Sequence, residues 1–148
     1  MPYGKLVDEG RIKPHELTVP ERRQRIVELL TLADRDLMDA GITQRPADGR
    51  HNSAYEAARA AADAVLVAEG YRRAGGEGQH AVLFDFLALV GTGEFAGEAT
   101  YFQKARRLRN KTHYDKAGIV SESSATGTVR NAQKFVEKVR QWVQTNTP

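Results

Sequence analysis

Residues 104–115 contain the densest set of side chains in this sequence that could do chemistry. If the segment is helical, Arg109 and His113 lie one turn apart on the same face, because they are four residues apart. Arg106 lies three residues before Arg109, on the same edge. An imidazole can accept or release a proton near neutral pH, and a guanidinium can bind a phosphate through two hydrogen bonds. These residue types are suited to acid–base chemistry at a phosphodiester.

The reaction that fits these groups is cleavage of RNA without a metal ion. A base removes the proton of a ribose 2′-hydroxyl, the oxygen attacks the neighbouring phosphorus, and a cation stabilises the developing charge. His113 could be the base and Arg109 the cation, with a 2′,3′-cyclic phosphate as product. The same residues also fit a structural role. Arg109 would then pair with an acid on a neighbouring helix, His113 would cap the helix end, and residues 104–111 would form a solvated charged face.

Charge is divided unevenly along the chain. The net charge is +3, yet residues 1–99 carry 12 basic and 16 acidic residues, whereas residues 100–148 carry 10 and 3. A polyanion-binding face would give this asymmetry, and so would a basic helix that is merely solvated. If the partner is a nucleic acid, the expected phosphate contacts are Arg106, Arg107 and Lys111. Tyr114 could stack on a base, hydrogen-bond a phosphate or simply pack.

Composition limits the other classes of function. The 148 residues, of which 41% are hydrophobic, suffice for one domain with a real core but not for two. The absence of cysteine excludes disulfides, thiolate metal sites and thiol nucleophiles. Glu77 and His80 have the Glu-x-x-His spacing of di-iron bundles, but one copy beside glycines does not make a di-metal site, and His80 is expected to cap its helix. We predict neither a metal nor a cofactor.

Nothing in the sequence predicts insertion into a membrane. The N-terminal residues lack an apolar signal core, and Asp85 and Gly91 interrupt the longest apolar stretches. These stretches are far shorter than the roughly 20 residues that a spanning helix needs. We expect a cytoplasmic protein without a membrane partner.

Five helices are predicted from apolar residues that recur every three or four positions. They cover residues 18–41, 53–70, 79–91 and 94–113, and a C-terminal segment after a serine- and threonine-rich loop at 118–127. Capping boxes at Thr18 and Ser53 mark the first two helix starts. His15 and His51 fall in predicted loops and are expected at the surface, and Trp142 could be a core or a dimer-interface residue.

No segment alternates apolar and polar residues, so no strand is expected. Residues 1–17 show no periodicity and are interpreted as an N-terminal arm, followed by a single domain over residues 18–148. The predicted fold is all-α, an antiparallel up-and-down bundle of four to five helices.

Over about residues 18–145 the chain resembles the HEPN domain, a family of small helical bundles. The resemblance rests on three segments of the sequence: the alanine-rich stretch at 54–66, residues 69–72 with the glycine-rich loop and Gln79-His80 that follow, and Arg109-Asn110-Lys111-Thr112-His113-Tyr114-Asp115. The last segment is the most specific of the three.

This resemblance implies a homodimer that acts on RNA. Many HEPN proteins are metal-independent endoribonucleases of toxin–antitoxin and defence systems, in which two motifs face each other across the dimer. Their motif is an arginine, often followed by a polar residue, and then a histidine after four to six intervening positions. By analogy, Arg109 and His113 are the predicted catalytic residues, and Asn110, Arg106 and Tyr114 support them.

Only three residues separate Arg109 from His113 here. This spacing is closer to that of a HEPN branch whose members bind nucleotides or partners without cutting RNA. The alternative function is therefore a non-catalytic HEPN module that binds a nucleotide or a nucleotidyltransferase antitoxin.

Overall fold

The computed structural model describes residues 2–75, 79–114 and 117–147, with Tyr114 described only in its backbone. Six helices and one short β-ribbon make up this part of the chain. The elements are α1 (Gly4–Asp8), β1 (Ile12–Pro14), α2 (Val19–Ala40), α3 (Ala47–Ala68), β2 (Tyr71–Arg73), α4 (Gln79–Leu87), α5 (Ala96–Tyr114) and α6 (Glu122–Asn146). The predicted all-α bundle is confirmed. None of the helices in the described ranges has both the length and the apolar character that crossing a membrane requires.

Helix α3 lies at the centre of the bundle and contacts α2, α4, α5 and α6. Its alanines are buried, and Ala57, Ala58 and Ala61 have no exposed surface. Small side chains on several faces allow neighbouring helices to approach α3 closely, so one helix can serve as the common core of the bundle. The alanine-rich stretch of the sequence is therefore the packing centre that positions the other helices.

The start of α2 is confirmed, whereas that of α3 was predicted wrongly. Thr18 and Glu21 form a complete capping box at the start of α2. Helix α3, however, begins at Ala47 rather than at Ser53, so the predicted loop is shorter. The extra turn is held by tertiary contacts, because buried Arg50 donates from Nε to the carbonyl of Ala40 at 3.1 Å. Such a contact leaves no signature in helical periodicity.

The start of α6 also lies earlier than predicted. Ser121 caps the helix by accepting a hydrogen bond from the backbone N–H of Ser124 at 3.0 Å. Gly127, placed in the predicted loop, is consequently inside α6. Ala125 and Thr128, both buried, anchor this first part of α6 against the bundle.

The expectation that the chain has no strand is wrong. Strands β1 and β2 pair antiparallel, with Ile12 opposite Arg73 and Pro14 opposite Tyr71. Three-residue strands are too short to show alternation in the sequence. The pairing places the N-terminal arm on the body of the protein, where Leu6 and Ile12 are buried in the core.

The core is rich in aromatic rings. Phe102 packs between Phe84 and Phe135, with ring centroids 6.3 Å and 5.3 Å away. Trp142, near the end of α6, is partly buried and packs edge-on against Phe95 at 5.8 Å. Trp142 therefore packs against the core, and its role in a dimer interface stays a prediction.

Candidate nucleic-acid interface

The structure divides the predicted site residues of α5 between two edges of the helix. Lys104, Arg107 and Lys111 lie on the edge beside α6 and line a groove between these two helices. Arg109 lies on the other edge and contacts α3. His113, one turn after Arg109 on α5, is exposed.

Arg106 and Asn110 lie beside Arg109 and are partly exposed. Arg106 donates from Nε to Oε1 of Gln103 at 3.0 Å. Asn110 accepts a long hydrogen bond of 3.4 Å from Nη1 of Arg109. The side chains of Tyr114 and Glu77 lie outside the described part of the chain. The roles predicted for these residues in catalysis or RNA binding stay predictions.

Arg109 is anchored to the central helix. Its Nη2 atom lies 3.2 Å from Oε1 of Glu56, and its side chain is 23% exposed. Its guanidinium carbon is also 6.0 Å from the centroid of the Tyr55 ring, a cation–π distance. This is the pairing with an acid on a neighbouring helix that the structural interpretation predicted. The Nε atom is buried and has no hydrogen-bond partner among the described residues, so one donor of Arg109 is not used by the fold.

Glu56 is shared between two guanidiniums. It accepts a hydrogen bond of 2.8 Å from Nε of Arg59, in addition to pairing with Arg109. Further along α3, Asp63 accepts two hydrogen bonds of 2.9 Å from Arg73 on β2. A row of alternating charges on α3 thus connects α5 at one end with β2 at the other. In this setting Arg109 belongs to a network that orients it.

His80 lies beside this charged row, in the first turn of α4. Its Nδ1 atom is 3.4 Å from the hydroxyl of Tyr55. Burial, together with the positive charges of Arg59 and Arg73, lowers the pKa of His80 to about 4. The ring is therefore neutral at pH 7, and its Nδ1 shares a long hydrogen bond with the Tyr55 hydroxyl. Sequence reasoning missed this environment because the charged groups come from other elements.

His51 is a core residue, which corrects its predicted place in a surface loop. It is 1% exposed, and its Nε2 donates to the carbonyl of Ala105 at 3.1 Å. Its Nδ1 lies 3.0 Å from the hydroxyl of Thr128. Burial lowers the pKa of His51, which favours the neutral ring. One side chain of α3 thereby holds α5 and α6 in place.

We call the space between these helices the α5–α6 groove. It has a volume of about 480 Å³ and opens to solvent. Tyr101, Ala105 and Leu108 supply an apolar and aromatic floor, and Ser124 contributes from α6. Lys104, Arg107 and Lys111 form its basic rim, and no described residue makes an ion pair with them. No group of three or more potential metal-binding side chains occurs in the described ranges.

The comparisons with known proteins identify the family. The model of the SAV_6107-like HEPN family matches residues 40–140, which is more than half of the chain. The chain therefore belongs to the HEPN family, as its resemblance in sequence indicated. Searches of curated proteins and of solved structures returned no significant match. The matched segment includes all of α3, α4 and α5, and thus both edges described above.

Proposed function

We propose that this HEPN chain binds RNA through the exposed cations of α5. The observation that carries the proposal is the basic rim formed by Lys104, Arg107 and Lys111. These residues are three and four positions apart, and so they follow one edge of the helix. Arg109, by contrast, pairs with the carboxylate of Glu56, which it shares with Arg59. Cations without carboxylate partners are available for phosphates, and the excess of basic residues in 100–148 attracts a polyanion from a distance.

A binding experiment tests this role of the rim. Wild-type protein is titrated into labelled RNA beside a variant with Lys104→Ala, Arg107→Ala and Lys111→Ala. We expect the variant to bind about tenfold or more weakly and to show a smaller salt dependence, because fewer counterions are released.

The matched control removes three exposed basic residues from the other half of the chain, Lys5, Lys13 and Arg35. It changes the net charge equally and is expected to bind within about twofold of wild type. Equal losses in the two triple variants would show that only net charge matters and would contradict the proposed interface.

A second proposal is that the bound RNA is cleaved at Arg109 and His113. The observation in its favour is their arrangement on one edge of α5, with Arg109 oriented by Glu56 and its side chain still partly exposed. His113 would take the proton of the 2′-hydroxyl, and that oxygen would attack the adjacent phosphorus. The bond to the 5′-oxygen then breaks, and this oxygen takes up a proton from water, to which His113 later returns its own, leaving a 5′-hydroxyl and a 2′,3′-cyclic phosphate. In a homodimer, two such edges would face a common cleft.

Cleavage is measured with structured RNA in EDTA, followed by analysis of the product ends. We expect His113→Ala and Arg109→Lys to stop cutting while both variants still bind RNA. Cutting that persists in both variants would overturn the assignment of these residues. Binding without any cutting would leave a non-catalytic RNA-binding module. If the protein does not bind RNA, the alternative partners are a nucleotide and a nucleotidyltransferase antitoxin.

A further inference from the structure

We infer that the α5–α6 groove is a binding site for one unpaired base of the RNA, separate from the edge that carries Arg109 and His113. The inference rests on the proposed RNA binding and adds the part of the substrate that is recognised. Phosphates would lie along the basic rim, and the base would enter the groove behind it.

The dimensions of the groove fit such an occupant. Its volume of about 480 Å³ is within the range of about 300–1,000 Å³ found for small-molecule sites. Lys104 and Lys111 are seven residues apart on one helix, which places their Cα atoms about 10 Å apart along its axis. The rim is thus long enough to hold a stretch of backbone on either side of an inserted base.

The chemistry of the lining also fits a base. Tyr101, Ala105 and Leu108 form the floor, and none of the described residues that line the groove is a carboxylate. Every base has an apolar π-face that can pack on aromatic and apolar side chains. Across from the floor, the hydroxyl of Ser124 is exposed and makes no hydrogen bond with the described residues, so it can bond to a base edge or a ribose.

The groove is preformed. His51 lies beneath it and bonds to Ala105 of α5 and Thr128 of α6. The hydroxyl oxygen of Thr128 also lies 3.0 Å from the carbonyl oxygen of Ser124. These contacts fix the spacing of the two helices, so the protein loses little conformational entropy when a base binds.

Only an unpaired base can use this site. In an RNA duplex the bases are stacked and paired, and the protein reaches mainly phosphates and the shallow minor groove. The basic rim can bind either form, whereas the groove can contribute only to single strands. The inference therefore predicts a preference for a single strand over a duplex of the same sequence.

The experiment compares the affinities of two labelled RNAs, a single strand and its duplex, both 2′-O-methylated so that they cannot be cut. We expect wild type to bind the single strand about tenfold more tightly at the same salt concentration. Ser124→Leu places a bulky side chain in the groove without changing charge, and it should remove this preference while leaving duplex binding unchanged. Ser123→Leu, the same change at an exposed neighbour that does not line the groove, should bind both RNAs like wild type.

The preference of the wild type needs no variant and tests the inference directly. Equal affinity for the two RNAs would overturn the base site and leave RNA binding standing. A preference that survives Ser124→Leu would also overturn it, since the groove would then not be used. If neither RNA binds, both the proposed RNA binding and the base site are wrong.

Discussion

Glu56 determines how Arg109 can act. Because this carboxylate pairs with Arg59 as well, the three side chains together carry one positive charge rather than two. Glu56 thereby holds Arg109 in one orientation against α3, and it also weakens the positive electrostatic potential around the guanidinium. In the proposed cleavage, the network would position the guanidinium, and the exposed part of the side chain would carry the remaining charge toward the phosphate.

The importance of this shared carboxylate can be measured by Glu56→Gln. We expect the free energy of unfolding to fall by about 1 kcal/mol, because two partly buried guanidiniums lose their charged partner. Urea denaturation gives this value. The matched control is Glu28→Gln, which breaks a pair with Arg25 in which both side chains are about half exposed, at 47% and 49%. That control should cost almost nothing, and equal losses in the two variants would contradict the network.

The sequence predicts those features of the site that lie within one helix, but not the contacts between helices. The four-residue spacing of Arg109 and His113 predicts their common edge, and a pairing of Arg109 with an acid is one of the two roles that the sequence allows. That the acid is Glu56 depends on how α3 packs against α5, which no local pattern encodes. His51 was misplaced for a related reason: the tertiary contacts that extend α3 to Ala47 are the same kind that bury this histidine.

At the scale of the elements, β1 is short but firmly attached to the core. Ile12 is 1% exposed, whereas its neighbour Lys13 is exposed. We expect Ile12→Ala to cost about 2–4 kcal/mol, because it removes buried methyl groups and leaves a cavity. Lys13→Ala, on the same strand, should change stability by less than about 0.5 kcal/mol. Thermal unfolding followed by circular dichroism measures both, and an equally mild effect of the two changes would mean that the arm is not docked in solution.

Periodicity revealed the long helices but not how they begin or what pairs with the arm. The apolar positions of α2 and the capping box at Thr18 can be recognised in the sequence, because both depend only on residues that are close together in the chain. The start of α6 is local too, but Ser121 lies in a run of serines and threonines that favoured a loop. The β-ribbon joins residues that are far apart in the chain, and its three-residue strands carry no recognisable pattern.

At the scale of the whole molecule, neutral histidines in the interior make the fold sensitive to acid. Burial lowers the pKa of His51, and burial with neighbouring arginines lowers that of His80 to about 4. In the unfolded chain a histidine titrates near pH 6.5. Between pH 6.5 and pH 4 the unfolded chain therefore binds more protons at these histidines than the folded protein does. The free energy of unfolding is highest above about pH 6.5 and decreases as the pH falls toward 4.

We therefore expect the urea midpoint of the wild type to fall steadily between about pH 6.5 and pH 4.5. His80→Gln keeps an acceptor for the Tyr55 hydroxyl but cannot be protonated in this range. Its midpoint should fall less steeply than that of the wild type. Parallel pH profiles for the two proteins would show that His80 does not contribute to the acid sensitivity.

The packing of Trp142 gives the protein an optical signal of its own. The chain contains one tryptophan, and its indole touches Phe95, which precedes α5, from a position near the end of α6. The fluorescence of an indole changes when it leaves such a contact and enters water. Emission from the natural chain thus reports whether α6 is docked on the rest of the bundle, without any attached dye.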